Sequence, residues 1–176
     1  MARVNKCIEL LEQGQPIYIS FWVELGAELT YETGLEQAKT WADMIVIDFE
    51  HHPYDIVSLT KFMHGLKDGG PTASGHPTPT VLITPPPNCR SLEEVIYNAW
   101  QVRQILTTGV HGLYYPQARD PESAKAYVST TRYTHQTIGR DQGLPEGLRG
   151  CGGESHAAEI WNISPTDYFK KADPWP

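Results

Sequence analysis

Five consecutive residues, Asp48-Phe49-Glu50-His51-His52, place two carboxylates and two imidazoles directly after the apolar run Met44-Ile45-Val46-Ile47. A carboxylate that hydrogen-bonds one imidazole nitrogen fixes the tautomer and leaves the other nitrogen free to take or give a proton. Asp48 and His51 are the pair suited to that chemistry. In a continuing strand they would face opposite sides, so the pairing requires the chain to curl after Phe49, and Pro53 favours such a curl. The competing reading is a capping cluster around Asp55 at the start of the next helix.

Other polar residues stand at corresponding places. Thr84 follows the apolar run Val81-Leu82-Ile83 and is itself followed by three prolines, Pro85 to Pro87, a rigid wall or a plain loop stiffener. Gln117 is a neutral donor and acceptor after the Gly112 to Tyr115 segment. Arg119 there either holds a carboxylate or is a solvated turn charge. Arg149-Gly150-Cys151-Gly152-Gly153 either offers backbone N–H groups to an anion or is a flexible turn. On the first alternative Gly150 and Gly152 bind substrate. His64, His76, His111 and His135 have no partner recognisable in sequence, His156 is a weak candidate, and Cys151 lacks a base at a recognisable spacing.

The elements that must position these residues alternate in type. Ile17 to Trp22, Met44 to Ile47, Thr80 to Thr84 and Gly112 to Tyr115 read as strands. Between and after them run helical patterns: Gly34 to Trp41 with Leu35, Ala38 and Trp41 on one face, Ile56 to Leu66, a helix capped by Ser91 with Glu94 three residues on, and Asp120 to Val128. A short helix from Cys7 to Leu11 precedes them, and Ser155 to Trp161 and Ser164 to Lys171 follow. Tyr133 to Gly153 is rich in glycine and reads as a long loop. Strand and helix in alternation imply right-handed βαβ units and a parallel sheet. Two α/β architectures compete: an open doubly wound sheet, and part of a (β/α)8 barrel, which complete takes about 250 residues. Neither a Gly-x-Gly-x-x-Gly turn nor a phosphate-binding loop follows any strand, which favours the partial barrel.

The chain has 176 residues, the length of a single domain. Its 14 Lys and Arg against 21 Asp and Glu give a net charge of −7. With no basic run longer than Lys170-Lys171, a nucleic-acid surface is disfavoured. The apolar run at Met44 to Ile47 is far short of the roughly 20 residues that span a membrane. The first six residues lack the apolar core of a secretory signal. The 3 cysteines form no Cys-x-x-Cys pair, which points to a reduced, cytoplasmic protein without a disulfide framework.

Ile47-Asp48-Phe49-Glu50-His51 resembles the I-D-x-E-H signature of the HpcH/HpaI aldolase family, relatives of citrate lyase β subunits. The resemblance continues through Gly112 to Gln117, Ala124, Arg132-Tyr133, Arg149-Gly150-Cys151-Gly152 and the segment from Trp161 to Pro176. It implies a (β/α)8 TIM barrel that binds pyruvate or another 2-oxo acid on a divalent metal, Mg or Mn, and joins its enolate to an aldehyde or releases it. It also implies His51 as the acid/base group, Asp48 as its orienting partner, and Glu50 as support behind the pair or the holder of a water on the metal.

Two departures accompany the resemblance. The family's arginine at the end of the third strand is matched by Thr84, and the nearest arginine is Arg90, so that guanidinium is absent or supplied from elsewhere. The family's metal-ligating Glu and Asp follow the fifth and sixth strands, so no metal ligand is expected within residues 1–176. The whole chain then reads as a single domain, the first four βα units of a truncated aldolase barrel with the linker before the fifth strand. Two functions follow as expectations: a metal-dependent aldolase seen as an incomplete chain, or a catalytically silent half-barrel that binds a 2-oxo acid and assembles with a partner chain. Small-molecule 2-oxo acid and aldehyde are the expected partners, with self-association through open sheet edges.

Overall fold

A computed structural model describes residues 3–21, 28–87 and 89–172. Trp22, Asn88 and the last four residues of the expected linker, 173–176, lie outside the described residues. Helix α1 (Lys6–Glu12) leads into strand β1 (Ile19–Phe21), and the order continues with α2 (Tyr31–Gln37), β2 (Met44–Asp48), α3 (Ile56–Gly69) and β3 (Thr80–Thr84). Helices α4 (Leu92–Tyr97) and α5 (Ala99–Thr107), strand β4 (Gly112–Leu113), and helices α6 (Pro121–Thr131), α7 (Glu154–Ile160) and α8 (Pro165–Ala172) complete it. The strands form one four-stranded parallel sheet in the order β1-β2-β3-β4.

Local chemistry places the helix starts. Asn5, Thr30, Asp55, Ser91 and Asp120 each accept backbone N–H bonds with a side-chain oxygen at an N-cap, groups that otherwise lack an intrahelical partner. Thr30 and Thr33 form a reciprocal capping box, which starts α2 three residues before the glycine at which the sequence pattern begins. Helix α2 then ends at Gln37. Trp41 therefore lies beyond the helix instead of on its buried face, and it is 75% exposed. The single helix expected after Ser91 is interrupted at Asn98, whose amide donates to the Glu94 carbonyl at 2.8 Å, a side-chain bond that competes with the helical ladder.

The β2 and β3 registers sort the side chains. Ile45, Ile47 and Phe49 on one face of β2 join Val81 and Ile83 of β3 in the main core, with Leu59, Phe62, Met63 and Leu66 of α3 and Val102 and Ile105 of α5. Met44 and Val46 on the other face pack with Cys7 of α1, Ile17 and Leu82. Helix α2 lies very close to α3 because glycines meet at the crossing. A Cβ on Gly34 would stand 2.3 Å from the Phe62 carbonyl, and one on Gly65 2.1 Å from the Tyr31 carbonyl.

The stretch from Tyr133 to Gly153 holds a single 3-10 turn, Arg140–Gln142, between two glycines of positive φ. It is pinned by an isolated parallel bridge between Tyr133 and Arg149. The Arg149 guanidinium, 5% exposed, lies 4.4 Å from the centre of the Tyr133 ring. Among the described residues β1 and β4 are each paired on one side only. Ile19 and Phe21 of β1 are 44% and 45% exposed. No described helix is long and apolar enough to cross a membrane.

Candidate functional site

The site forms where β2 and β3 end. Asp48 and Thr84 are register partners, so their side chains leave the sheet on the same face, the one opposite the helix-packed core. The Phe49 N–H donates to the Thr84 carbonyl at 2.8 Å, the last rung of the ladder, and the Phe49 ring is buried against Tyr54. The chain then curls. Asp48 Oδ1 accepts from the backbone N–H of Glu50 at 2.8 Å and of His51 at 3.3 Å, the turn that aspartate side chains make on their own backbone. The curl swings His51 back, and its Nδ1 lies 2.7 Å from Asp48 Oδ2. Asp55 meanwhile caps α3 through the Ser58 N–H, so the capping role and the Asp48–His51 pair belong to different carboxylates.

Electrostatics follow the geometry. The hydrogen bond from Asp48, reinforced by its negative charge, raises the His51 pKa above the ordinary imidazole value. Partial burial pushes Asp48 upward, but the bonds from His51 and from the Glu50 and His51 N–H groups outweigh it and hold the carboxyl below the usual range. Because Nδ1 donates to the carboxylate, neutral His51 carries its lone pair on Nε2. The His51 side chain is 69% exposed against 19% for Asp48. The pair therefore presents one proton-accepting nitrogen to whatever occupies the mouth of the sheet.

A second chain of contacts crosses the same mouth. Gln117, in the loop after β4, donates from Nε2 to Glu50 Oε1 at 3.1 Å. Its Oε1 accepts from Arg90 Nε, in the loop after β3, at 3.0 Å. Gln117 has a φ of 60°, a left-handed conformation uncommon for a side-chain-bearing residue and concentrated at functional sites. Thr84 is buried. His52 buries its Nδ1 without a hydrogen-bond partner among the described residues.

Asp48, Glu50 and His51 could together approach a cation, with one donor atom from each lying within 4.8 Å of the others. That set is incomplete for a hard divalent ion, which takes about six oxygen ligands. Asp48 already spends both oxygens on His51 and the backbone, and Glu50 accepts from Gln117. These residues do not by themselves fit a resident Mg or Mn.

Of the residues singled out in sequence, Asp48, His51, Glu50 and Gln117 are thus brought together. Gly150 and Gly152 are not. A Cβ on the neighbouring Gly153 would meet Thr107 Oγ1 at 2.6 Å, at the C-terminal end of α5, which is the end of the sheet where β4 begins. A substrate-binding role for Gly150 and Gly152 stands as a proposal. Arg119 is exposed and makes no ion pair with Asp48 or Glu50 among the described residues.

All four histidines expected to lack partners have contacts: His64 Nδ1 lies 3.9 Å from Glu159 Oε1 and the His135 ring stacks on Tyr133. His76 Nδ1 lies 3.0 Å from Ser74 Oγ. His111 Nδ1 accepts from the Val81 N–H at 3.1 Å, and its ring stacks on Trp161. Burial, with a smaller effect of His76, lowers the His111 pKa to about 4. Arg90 is the site residue that sequence spacing left without a role. The cap at Ser91 was its signal, because the start of α4 must stand at the mouth.

No family model matches the chain. Among curated proteins it is 28% identical over 167 residues to a 4-hydroxy-2-oxo-heptane-1,7-dioate aldolase of Shigella boydii, a match covering 93% of the chain and 50% of that protein. It is 25% identical over 168 residues to a hydroxypyruvate/pyruvate aldolase of Agrobacterium fabrum, covering 96% and 51%. The chain therefore spans about half the length of the curated relatives it matches. Among solved structures it matches a HpcH/HpaI aldolase/citrate lyase family protein from Burkholderia cenocepacia with a TM-score of 0.67 at 23% identity, over 96% of this chain and 56% of that one. A HpcH/HpaI aldolase from Desulfitobacterium hafniense matches with a TM-score of 0.62 at 17% identity, over 94% and 52%. The α/β expectation of about four consecutive βα units of an aldolase-type barrel is borne out, and so is the likeness to the HpcH/HpaI aldolases over nearly the whole chain.

Proposed function

We propose that the chain carries the acid/base half of a metal-dependent aldolase that makes or cleaves a carbon–carbon bond between a 2-oxo acid enolate, pyruvate in the simplest case, and an aldehyde. The observation that carries the reading is the Asp48–His51 hydrogen bond at the C-terminal end of β2, the place where parallel α/β folds set their chemistry. In cleavage, His51 Nε2 takes the proton of the 4-hydroxyl as the bond between C3 and C4 breaks, and the aldehyde leaves. The same imidazolium then returns a proton as the enolate becomes pyruvate. Asp48 holds the ring in the required tautomer and stabilises the imidazolium. Glu50 and the Gln117 amide bound to it stand beside the pair.

A Mg or Mn ion would supply the Lewis acidity that polarises the 2-oxo group. Because Asp48, Glu50 and His51 do not fit such an ion, the reading assigns its ligands to the part of the relatives that this chain does not span. The same reading treats residues 1–176 as one domain acting in the cytoplasm on small molecules. The test is release of pyruvate from a 4-hydroxy-2-oxo acid with added Mn²⁺, by this chain alone and joined to the half of the Agrobacterium relative that it does not match. Release by the joined protein supports the reading.

A second reading is favoured by the incomplete metal set: a silent half-barrel that binds a 2-oxo acid and assembles with a partner chain. Pyruvate binding without turnover in the joined protein would support it instead.

A further inference from the structure

We infer that the cavity beside β4, apart from the mouth that carries the Asp48–His51 pair, binds an amphipathic carboxylate, with the acid group on Arg149 and a flat apolar body among aromatic side chains. The inference goes beyond the aldolase reading and does not depend on it. The cavity holds about 830 Å³, within the size range of small-molecule sites. Its walls come from α1, β4, α6 and α8. Asp48, Glu50, His51 and Gln117 do not line it.

Charge selects the acid group. Among the described residues Arg3, Arg132, Arg149 and Lys171 line the cavity, and no aspartate or glutamate does. Arg3 is engaged by Glu12 and Arg132 by the Ile138 carbonyl. Arg149 is the buried cation of the set, 5% exposed. Both of its terminal nitrogens reach the Tyr168 hydroxyl at 3.4 Å, and its plane lies over the Tyr133 ring. It makes no ion pair among the described residues. The glutamates closest to it in sequence are committed elsewhere, Glu146 to Arg140 and Glu154 to the Gly152 N–H. A buried guanidinium without a counter-ion is unfavourable. A carboxylate that meets its planar fork offsets that cost.

A second unsatisfied group points the same way. Tyr133 also lines the cavity and is 1% exposed, and its hydroxyl is buried without a hydrogen-bond partner among the described residues. A phenolic O–H needs an acceptor, which an anionic ligand brings. The remaining walls select the body of the ligand. Tyr127 and Trp161 stand there with Leu106, Val110 and Leu113. Trp161 has already given its N–H to the Gly109 carbonyl, so it offers the cavity an apolar ring. Such walls favour a flat apolar body over a small hydrophilic anion, which would leave them in contact with water.

The probes are 2-naphthoate, its neutral amide 2-naphthamide, and acetate, titrated into the full 176-residue chain by calorimetry and NMR. Naphthoate is expected to bind about tenfold or more tightly than the amide, the usual worth of a hydrogen bond to a charged group, and acetate more weakly than either. The Trp161 indole signal should shift with naphthoate while the His51 ring signals stay in place. Arg149→Met should remove the preference for the acid, and Arg149→Lys, which keeps the charge and loses the fork, should retain part of it. Circular dichroism reports whether the variants fold, and the comparison of acid with amide needs no variant. Equal affinity for acid and amide, no binding of either, or a naphthoate shift at His51 instead of Trp161 overturns the inference. So does a preference for the acid that survives in folded Arg149→Met.

Discussion

His51 Nδ1 and Asp48 Oδ2 are 2.7 Å apart, although three positions of uninterrupted strand would have sent the two side chains to opposite faces. The Asp48 carboxylate produces the encounter itself. One oxygen turns the backbone by accepting from Glu50 and His51, and the other receives the imidazole that the turn delivers. A single carboxylate thus both shapes the loop and tunes the base it presents.

The tuning has a measurable sign. The raised His51 pKa means that Asp48 favours the imidazolium, so this stabilising contribution is complete below about pH 6.5 and fades as pH climbs through the raised value. The lowered Asp48 pKa contributes above about pH 3.9 and fades as pH falls through the lowered value. The pair holds the curl best between those limits. NMR titration of the His51 ring should give a midpoint above the ordinary one, and Asp48→Asn should bring it down. A midpoint that does not move in Asp48→Asn contradicts the electrostatic account.

As a base His51 works only when neutral. In an active protein the acidic limb of kcat/KM should therefore follow the raised His51 value and shift to lower pH in Asp48→Asn, alongside a fall in kcat. A limb that stays in place assigns the base elsewhere.

The close approach of α2 to α3 depends on absent side chains. Gly34→Val or Gly65→Val should cost about 1–3 kcal/mol through overpacking, read as a lowered thermal midpoint, because the atoms in the way are backbone. An exposed change such as Trp41→Gln should cost less than about 0.5 kcal/mol.

Much of this was legible in the residues. Thr80–Thr84 forms a strand with the expected bounds because a short β-branched run bounded by prolines has few alternatives. Caps at Asp55, Ser91 and Asp120 fixed helix starts. The placement of Gly150 and Gly152 was not legible, because nothing in a glycine-rich stretch says which end of the sheet it visits. That depends on the Tyr133–Arg149 bridge, a pairing of residues far apart in sequence. Arg90 was invisible as a site residue for a similar reason. Its partner, Gln117, comes from another loop, and the left-handed turn that brings them together has no glycine to announce it.

Metal binding offers a separate check. With Asp48 and Glu50 already engaged, calorimetry on this chain should show Mg²⁺ or Mn²⁺ binding that is weak or undetectable. Tight stoichiometric binding contradicts the donor count.

Among the described residues β1 and β4 each leave one edge unpaired, a template for pairing with another chain, and exposed Ile19 and Phe21 add apolar surface beside one of them. Sedimentation at tens of micromolar should show species heavier than the 19.7 kDa monomer. A single monomeric boundary with cooperative unfolding counts against the half-barrel account.

The central claim is that His51, oriented by Asp48, moves the proton in carbon–carbon bond cleavage. The most direct measurement is Mn²⁺-dependent pyruvate release from a 4-hydroxy-2-oxo acid by the joined protein, with and without His51→Ala. The account predicts release that falls about 10²–10⁴-fold in the variant, the usual worth of general acid/base catalysis. No release by the unaltered protein, or a change of less than about threefold on removing an imidazole that should be worth so much more, contradicts it.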